Sequence, residues 1–570
     1  MSMGWTEPQY TFILFTRSIK QIEKMRRFFL RQALAVLTSG LLMFQALGTS
    51  MEIRSPKGET KPTSKPLVLE AFVDFVDDAL IAEMPIKAQH IDAMMRRLKG
   101  LGVQRVSWSY YGDGHGGFLV PAGYVGAKGA LSEEEGNWKN LADTYQGLGN
   151  PLKVAVEAGH RNGLEVYAYF KPYETGPSMT FPEGSAEAKS MGLLPQIGGR
   201  LAWLEPFVKA HPELRIQRRT DDLPADVDRA VVTTIRLIKQ NDSPTRITKE
   251  HLQIWTSDAN WQYHRVNVSF AFSDTVENSS RTVQDSNGKA LTLPGQPVRV
   301  LTLSGLELKD KYVLITTDFA DGKPDFVNAG TALVEVIDAR KRVIPVEVAT
   351  GLSFWSHRLQ NFRTAGLSFD TGWGASPVAL DAPNSSGTKG LIAFARGRNR
   401  FLPGPLCETE PRVQKFWMDS LEEMIAAGVD GVDFREQNHG SGVDRPEDYG
   451  FNEVILKRCG HLKGEALKAK IAEVRGRAYT DFLRRCKQRL AAVGKQMRHN
   501  LQVDWFRPDR QFSRTGGGFP ANVNWEWQRW VDEKLMDAAI LRFFNMQPPA
   551  VLTDPVSEKW WNAAGGMTFR

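Results

Sequence analysis

The sequence predicts an α/β fold: a TIM-type β/α barrel interrupted by an inserted antiparallel β-sandwich. Three observations lead there. First, one phrase recurs, an amphipathic helix, a glycine and a short apolar run ending in polar or aromatic residues. It reads KGLGVQRVSWSYYG at 99–112, RNGLEVYAYFKPYE at 161–174, AAGVDGVDFREQNHG at 426–440 and AAVGKQMRHNLQVDW at 491–505. Glycine suits the left-handed position that stops a helix, and a buried parallel strand is apolar until it surfaces at its carboxyl end. Second, the apolar periodicity changes from 3.6 to 2 in the middle of the chain and then changes back. Third, 570 residues at 42% hydrophobic and 24% charged are enough for more than one buried core.

In chain order, residues 1–50 read as an export leader and 51–66 as a polar linker. Arg26-Arg27-Phe28-Phe29-Leu30-Arg31 precedes the apolar run 33–48, which is short for a membrane span and suits an export h-region. The string is similar to the twin-arginine signal pattern, Met25 is a second candidate start, and cleavage is expected near 46–50. A single membrane anchor is the alternative. The expected location is therefore periplasmic or extracellular, with membrane attachment only through an uncleaved leader.

The first part of the barrel spans 67–175. LVLEAFVDF at 67–75 is its first strand, Ile91, Met94, Met95 and Leu98 form the apolar face of the next helix, and strands follow at 103–110 and 165–170. Residues 176–388 break the pattern. VNVSFAF (266–272), VRVLTLSGL (298–306), YVLITTDF (312–319), ALVEVIDA (332–339) and VIPVEVAT (343–350) alternate with turn clusters and predict a sandwich over about 264–375. A βα loop at a barrel mouth can lengthen this way without disturbing the sheet.

The barrel resumes over 389–570. Pro411 opens a helix with Val413, Phe416, Trp417, Leu421, Met424 and Ile425 on one face; strands follow at 429–436, near 496–504 and at 537–544, and 560–570 begins a seventh. The count stops one short of eight. Either the C-terminus is truncated, the count is in error, or KGLIAFAR at 389–396 belongs to the barrel.

Composition narrows the function classes. The formal charge is +7, but six Lys/Arg and two Glu within residues 1–50 account for +4, leaving +3 over the remainder. That spread gives no nucleic-acid footprint. Cys407, Cys459 and Cys486 lack metal or disulfide spacing, and no metal or cofactor motif is read. Oligomeric state is not legible.

Candidate site residues follow from the two-residue period at strand ends. Asp433 and Arg435 share a face expected to point into the barrel, with Glu436 and His439 just beyond. Asn500, Gln502 and Asp504 share a face of the fifth strand, followed by Trp505. Trp525 and Glu526 lie in the next loop; Lys171, Tyr173 and Glu174 end the third strand. Carboxylates beside tryptophans suit glycosidic cleavage, which needs one carboxyl as proton donor and a second as nucleophile or base. Asp433, Glu436, Asp504 and Glu526 are the expected catalytic acids, and Arg435, His439, Lys171, Tyr173, Glu174, Asn500, Trp505 and Trp525 the expected substrate contacts.

GLEVYAYFKPYE and VDGVDFRE resemble the third and fourth strands of the glycosyl-hydrolase-like family ten barrels, roughly GLEVHAWFNPYR and VDGIHFDDY, over 67–175 and 405–570. The resemblance implies an exported, polysaccharide-directed hydrolase, with carbohydrate as the partner. Arg435 stands where that pattern has an acid, so no catalytic role is carried over to it; only Glu436 matches the second acidic position. An Arg beside Asp433 would keep that acid ionised.

Structural readings compete at each position. Asp433 with Arg435 is also a candidate ion pair on the barrel floor, Asp504 a loop cap, Glu526 a solvated helix residue, His439 a loop residue bonding local backbone, and Lys171 with Glu174 a rim pair. Asp113 and His115, in a Gly-rich loop, have turn roles as their plainest reading. The function expected is a glycoside hydrolase; the alternative is a non-catalytic carbohydrate-binding protein on a degenerate or truncated hydrolase barrel.

Overall fold

A computed structural model describes residues 13–15, 68–110, 135–175, 180–185, 188–189, 194–201, 204–239, 241–280, 282–284, 290–318, 334–352, 366–369, 390–436, 446–502, 522–542 and 568–569. The twin-arginine-like string, Asp113, His115, His439, Asp504 and Trp505 lie outside them.

The parallel sheet contains β1 (Ile13–Phe15), β2 (Leu69–Val73), β3 (Val103–Ser109), β4 (Glu165–Phe170), β5 (Gly431–Arg435), β6 (Gln496–Gln502), β7 (Ala538–Arg542) and β8 (Thr568–Phe569), side by side in that order. Six of these, β2 to β7, form a curled half-barrel; the short β1 and β8 pair parallel at its two edges. The curl follows from one contact. Strands stack about 4.8 Å apart, so β2 and β6 would be roughly 19 Å apart in a flat sheet, yet Arg498 Nη2 of β6 lies 2.9 Å from Glu70 Oε2 of β2. The full TIM-type closure expected from sequence goes beyond this half-barrel. Within β2–β7, the observed strands coincide with those read from the apolar runs.

Helices cover the convex side, and local chemistry sets their limits. α1 (Pro151–Arg161) begins with Pro151 in its first turn, and Asn150 Oδ1 accepts from the Lys153 N–H at 3.0 Å. α2 (Pro411–Ala426) buries Val413, Trp417, Leu421 and Met424, while Phe416 and Ile425 pack at its margin. It ends at Gly428, whose φ of +89° is costly for a side-chain-bearing residue. α3 (Gly464–Ala492) lays Ile471, Tyr479, Phe482, Leu483, Cys486 and Leu490 against the sheet. All three cysteines are buried and unbridged, and Cys486 is part of the main core. Among the described residues, no helix is long and apolar enough to cross a membrane.

Two antiparallel sheets, of five and six strands, occupy the insertion. Ile235, Leu301, Leu303 and Val336 of one meet Ile254, Val313, Ile315 and Phe394 of the other in a single core, as expected of two faces that each bury alternate residues. In sequence, the two sheets extend past the predicted limits. Val232–Ile238 and Leu252–Ser257 precede residue 264, and Gly390–Arg396, weighed as a barrel strand, pairs with Tyr312–Thr317 and Val346–Leu352 instead. Phe401–Leu406 then pairs with Arg215–Gln217 and leads the chain back to α2.

Candidate functional site

Alternation along the strands divides the polar residues into three groups. The lowest lies inside the curl. Tyr167 points inward over Gly431 of the neighbouring strand, where an added Cβ would sit 2.2 Å from the Tyr167 ring. The Arg105 and Arg498 guanidiniums lie over that ring at 4.6 and 4.7 Å from its centre. Arg498 then holds Asp433, Nε to Oδ1 at 2.5 Å and Nη2 to Oδ2 at 3.1 Å, while Ser107 donates to Oδ2 at 2.7 Å. Glu70 accepts from both arginines. Burial opposes ionisation of Glu70, but Arg498 and Arg105 outweigh it and hold its carboxyl below the usual range. Burial likewise acts to lower the pKa of Arg498, and Asp433 and Glu70 reverse that.

Asp433 therefore faces inward as expected, but its ion-pair partner is Arg498 rather than Arg435, and both its oxygens are engaged at a position with no solvent exposure. This arrangement is a structural floor. It leaves no oxygen poised for attack on a sugar.

One layer nearer the carboxyl ends, Arg435 donates to the Tyr169 hydroxyl, and its Cζ lies 5.4 Å from the centre of that ring. Lys171 Nζ lies 6.0 Å from the same centre. Asn500 is the direct cross-strand neighbour of Arg435. Tyr169, Lys171 and Asn500 are buried and Arg435 is half-buried. Glu174 lies in the turn after β4, its N–H bonded to the Lys171 carbonyl and its Oε2 3.7 Å from Lys171 Nζ. Lys171 and Arg435 thus share the Tyr169 ring, Glu174 adjoins Lys171, and Asn500 stands opposite Arg435 in the next strand.

The third group lies in the wall between sheet and helices. Glu436 continues the outward face of Val432 and Phe434. Its Oε1 accepts from the Tyr479 hydroxyl at 2.9 Å and lies 3.1 Å from His499 Nδ1, and the His499 ring stacks on Phe434. Burial, then the Glu436 charge, push the Tyr479 phenol well above its ordinary pKa. Tyr173 donates to Glu408 Oε2 at 3.2 Å, and Arg475 grips both Glu408 oxygens at 2.6 and 3.1 Å. Trp417, Tyr479 and Trp525 surround Tyr173.

Three expectations shift on this geometry. Tyr173 and Trp525, read as rim contacts, are wall residues because the turn at 171–174 directs Tyr173 between α2 and α3, where burial of its aromatic ring is most favourable. Glu436 is buried beside them, away from Arg435. Glu526 precedes the short helix α4 (Trp527–Asp532), 3.5 Å from Arg529.

Sequence reasoning missed Glu70, Arg105, Arg498, Glu408, Arg475 and His499. Arg498 had a usable signal, since it shares the strand face of Asn500 and Gln502. Glu408 and Arg475, 67 residues apart, had none.

Among the described residues, no group of three or more His, Cys, Asp or Glu side chains could hold a metal ion. No protein-family model matches the chain, and no curated protein matches it.

Proposed function

We propose that this chain is a carbohydrate-binding β/α-barrel protein, its ligand held on the concave side of the sheet at the carboxyl ends of β4, β5 and β6. One observation supports this above all. Lys171 and Arg435 approach the Tyr169 ring, with Asn500 opposite Arg435 in the next strand, at the end of the sheet where barrel ligands bind, whereas Asp433, Glu436 and Glu526 are held in three different surroundings. Two-carboxylate hydrolysis needs both acids beside one sugar ring, roughly 5–9.5 Å apart. The carbohydrate class rests on the strand-motif resemblance. The proposal includes export by the twin-arginine-like leader.

Hydrolysis is the second reading, and Asn500 favours it. Asn500 lies on the concave face, and in the sequence Asp504 continues the same alternation, so a hydrolase would draw its acid from there.

Titration of the full chain with soluble oligosaccharides, combined with product analysis of the same mixtures, tests the proposal. Binding without cleavage, lost in Arg435→Ala, is expected. Cleavage abolished by Asp504→Asn would replace it with the hydrolase reading.

A further inference from the structure

We propose that residues 204–210 form a pH-sensitive clasp, which holds the first part of the insertion against α2 and the β4 turn while the Glu205 carboxyl is neutral and loosens when that carboxyl ionises.

The place of Glu205 in the fold carries it. Its backbone N–H donates to the Thr175 carbonyl at 3.1 Å, and the Thr175 hydroxyl donates to the Gly404 carbonyl at 2.7 Å. Just beyond, the short helix Pro206–Ala210 buries Val208 in the main core and stacks Phe207 on Phe416 of α2, ring centres 4.5 Å apart. Glu205 thus lies where the β4 turn, the returning strand Phe401–Leu406 and α2 meet.

Its surroundings do not suit a charge. Glu205 is 7% exposed, and its Oε2 is enclosed with no hydrogen-bond partner. It receives a backbone hydrogen bond from Phe207, and among the described residues no cation is paired with it. The neighbouring elements supply none. From α2 the charged group that acts on it is another acid, Glu423, to which the Tyr110 hydroxyl donates. Arg412 and Lys415 of the same helix pair with Glu213 and Asp419, and Glu422 pairs with Arg489. Lys171 of the β4 turn pairs with Glu174. After Glu205 itself, Lys209 is exposed and the His211 ring lies against Phe207. Burial first, then the Glu423 charge, push the Glu205 carboxyl up to about 7.

An ionised carboxylate enclosed without a donor or a counter-charge is costly, and solvating Oε2 requires the segment to move off its neighbours. Leu204 and Val208 remain anchors in the main core, so the response is a local opening rather than detachment.

Hydrogen–deuterium exchange of the full chain, read by mass spectrometry and corrected for the intrinsic effect of pH, tests this. Protection of residues 204–214 should fall about five-fold or more between pH 5.5 and pH 8.5, while residues 471–490 of α3 stay unchanged. Glu205→Gln should remove the pH dependence. Glu423→Gln, at an exposed position, should keep it but move the transition to lower pH, and this variant tests the proposal even if Glu205→Gln does not fold. Protection of 204–214 that is independent of pH in the wild type, or that falls equally in Glu205→Gln, would overturn the clasp, as would a transition unmoved by Glu423→Gln.

Discussion

Asp433 and Arg498 form the central contact of the half-barrel, two neighbouring strands joined by a guanidinium that meets both carboxylate oxygens of one aspartate. Arg498 also reaches Glu70 across the curl, so this pair links the sheet's first full strand to its fifth.

Removing the charge from Asp433 should therefore act on stability. Breaking one side of a buried ion pair leaves the other charge uncompensated and costs about 3–5 kcal/mol. Asp433→Asn should lower the unfolding free energy, measured in urea, by about 3 kcal/mol or more. A variant as stable as the wild type would remove Asp433 from the structural floor.

Gly431 makes a second, independent test of the same layer. A Cβ there would meet Tyr167 Cε1 at 2.2 Å and the Gln496 carbonyl at 2.8 Å. Gly431→Ala should destabilise by about 1–3 kcal/mol, the usual cost of overpacking. Tyr167→Leu, shorter on the same face, should recover part of that loss, so a double-mutant cycle should give a coupling energy clearly different from zero. Strict additivity would contradict the packing of Tyr167 over Gly431.

Glu205 gives the chain a pH signature. Burial, with the Glu423 charge adding to it against a lowering backbone hydrogen bond from Phe207, pushes its carboxyl up to about 7. Between the unfolded value near 4.5 and about 7, the folded state keeps a proton that the unfolded state has released. Stability therefore falls as pH rises through that window and levels off above it. The full penalty is about 3 kcal/mol as an order of magnitude. Glu205→Gln should match the wild type near pH 4 and exceed it at pH 8 in urea unfolding. Identical pH profiles for the two proteins would contradict the raised value.

Export gives a prediction about the mature chain. A cut near residues 46–50 removes Ile13–Phe15, which pairs with β2 in the full-length chain, and leaves β2 at the sheet edge. Mass spectrometry of protein recovered from the periplasm of a bacterial host should find a new N-terminus within 47–51. An intact leader on exported protein would favour the anchor instead.

The elements legible in the sequence are those whose burial is one-dimensional. A parallel strand packed on both faces is apolar until it surfaces, so β2 to β7 are visible as runs. The alternation also orients Asp433 correctly. Its partner is another matter: Arg435, two residues along the same strand, stands about 6.6 Å away by strand rise, whereas Arg498 lies directly opposite at one strand spacing of about 4.8 Å. Cross-strand proximity decides the pairing, and it becomes visible only once β5 and β6 are known to be neighbours and in register. The Glu408–Arg475 pair and the Glu436–His499–Tyr479 cluster depend on helix packing against the sheet, which no local pattern encodes. Val232–Ile238 escaped because VTTIRLI mixes polar residues into an otherwise β-rich run, a pattern suited to its half-buried face.

The central claim is that ligand binds at Lys171, Arg435 and Asn500 while the inner acids serve the fold. A crystal structure of the protein soaked with a mixed set of oligosaccharides tests it most directly. The expected density places a ligand oxygen within hydrogen-bond distance of Asn500 Nδ2 and the ligand against Arg435, with Asp433 still bonded to Arg498. A ligand seated on the sandwich, or one contacting Glu526 with the strand ends untouched, would contradict it.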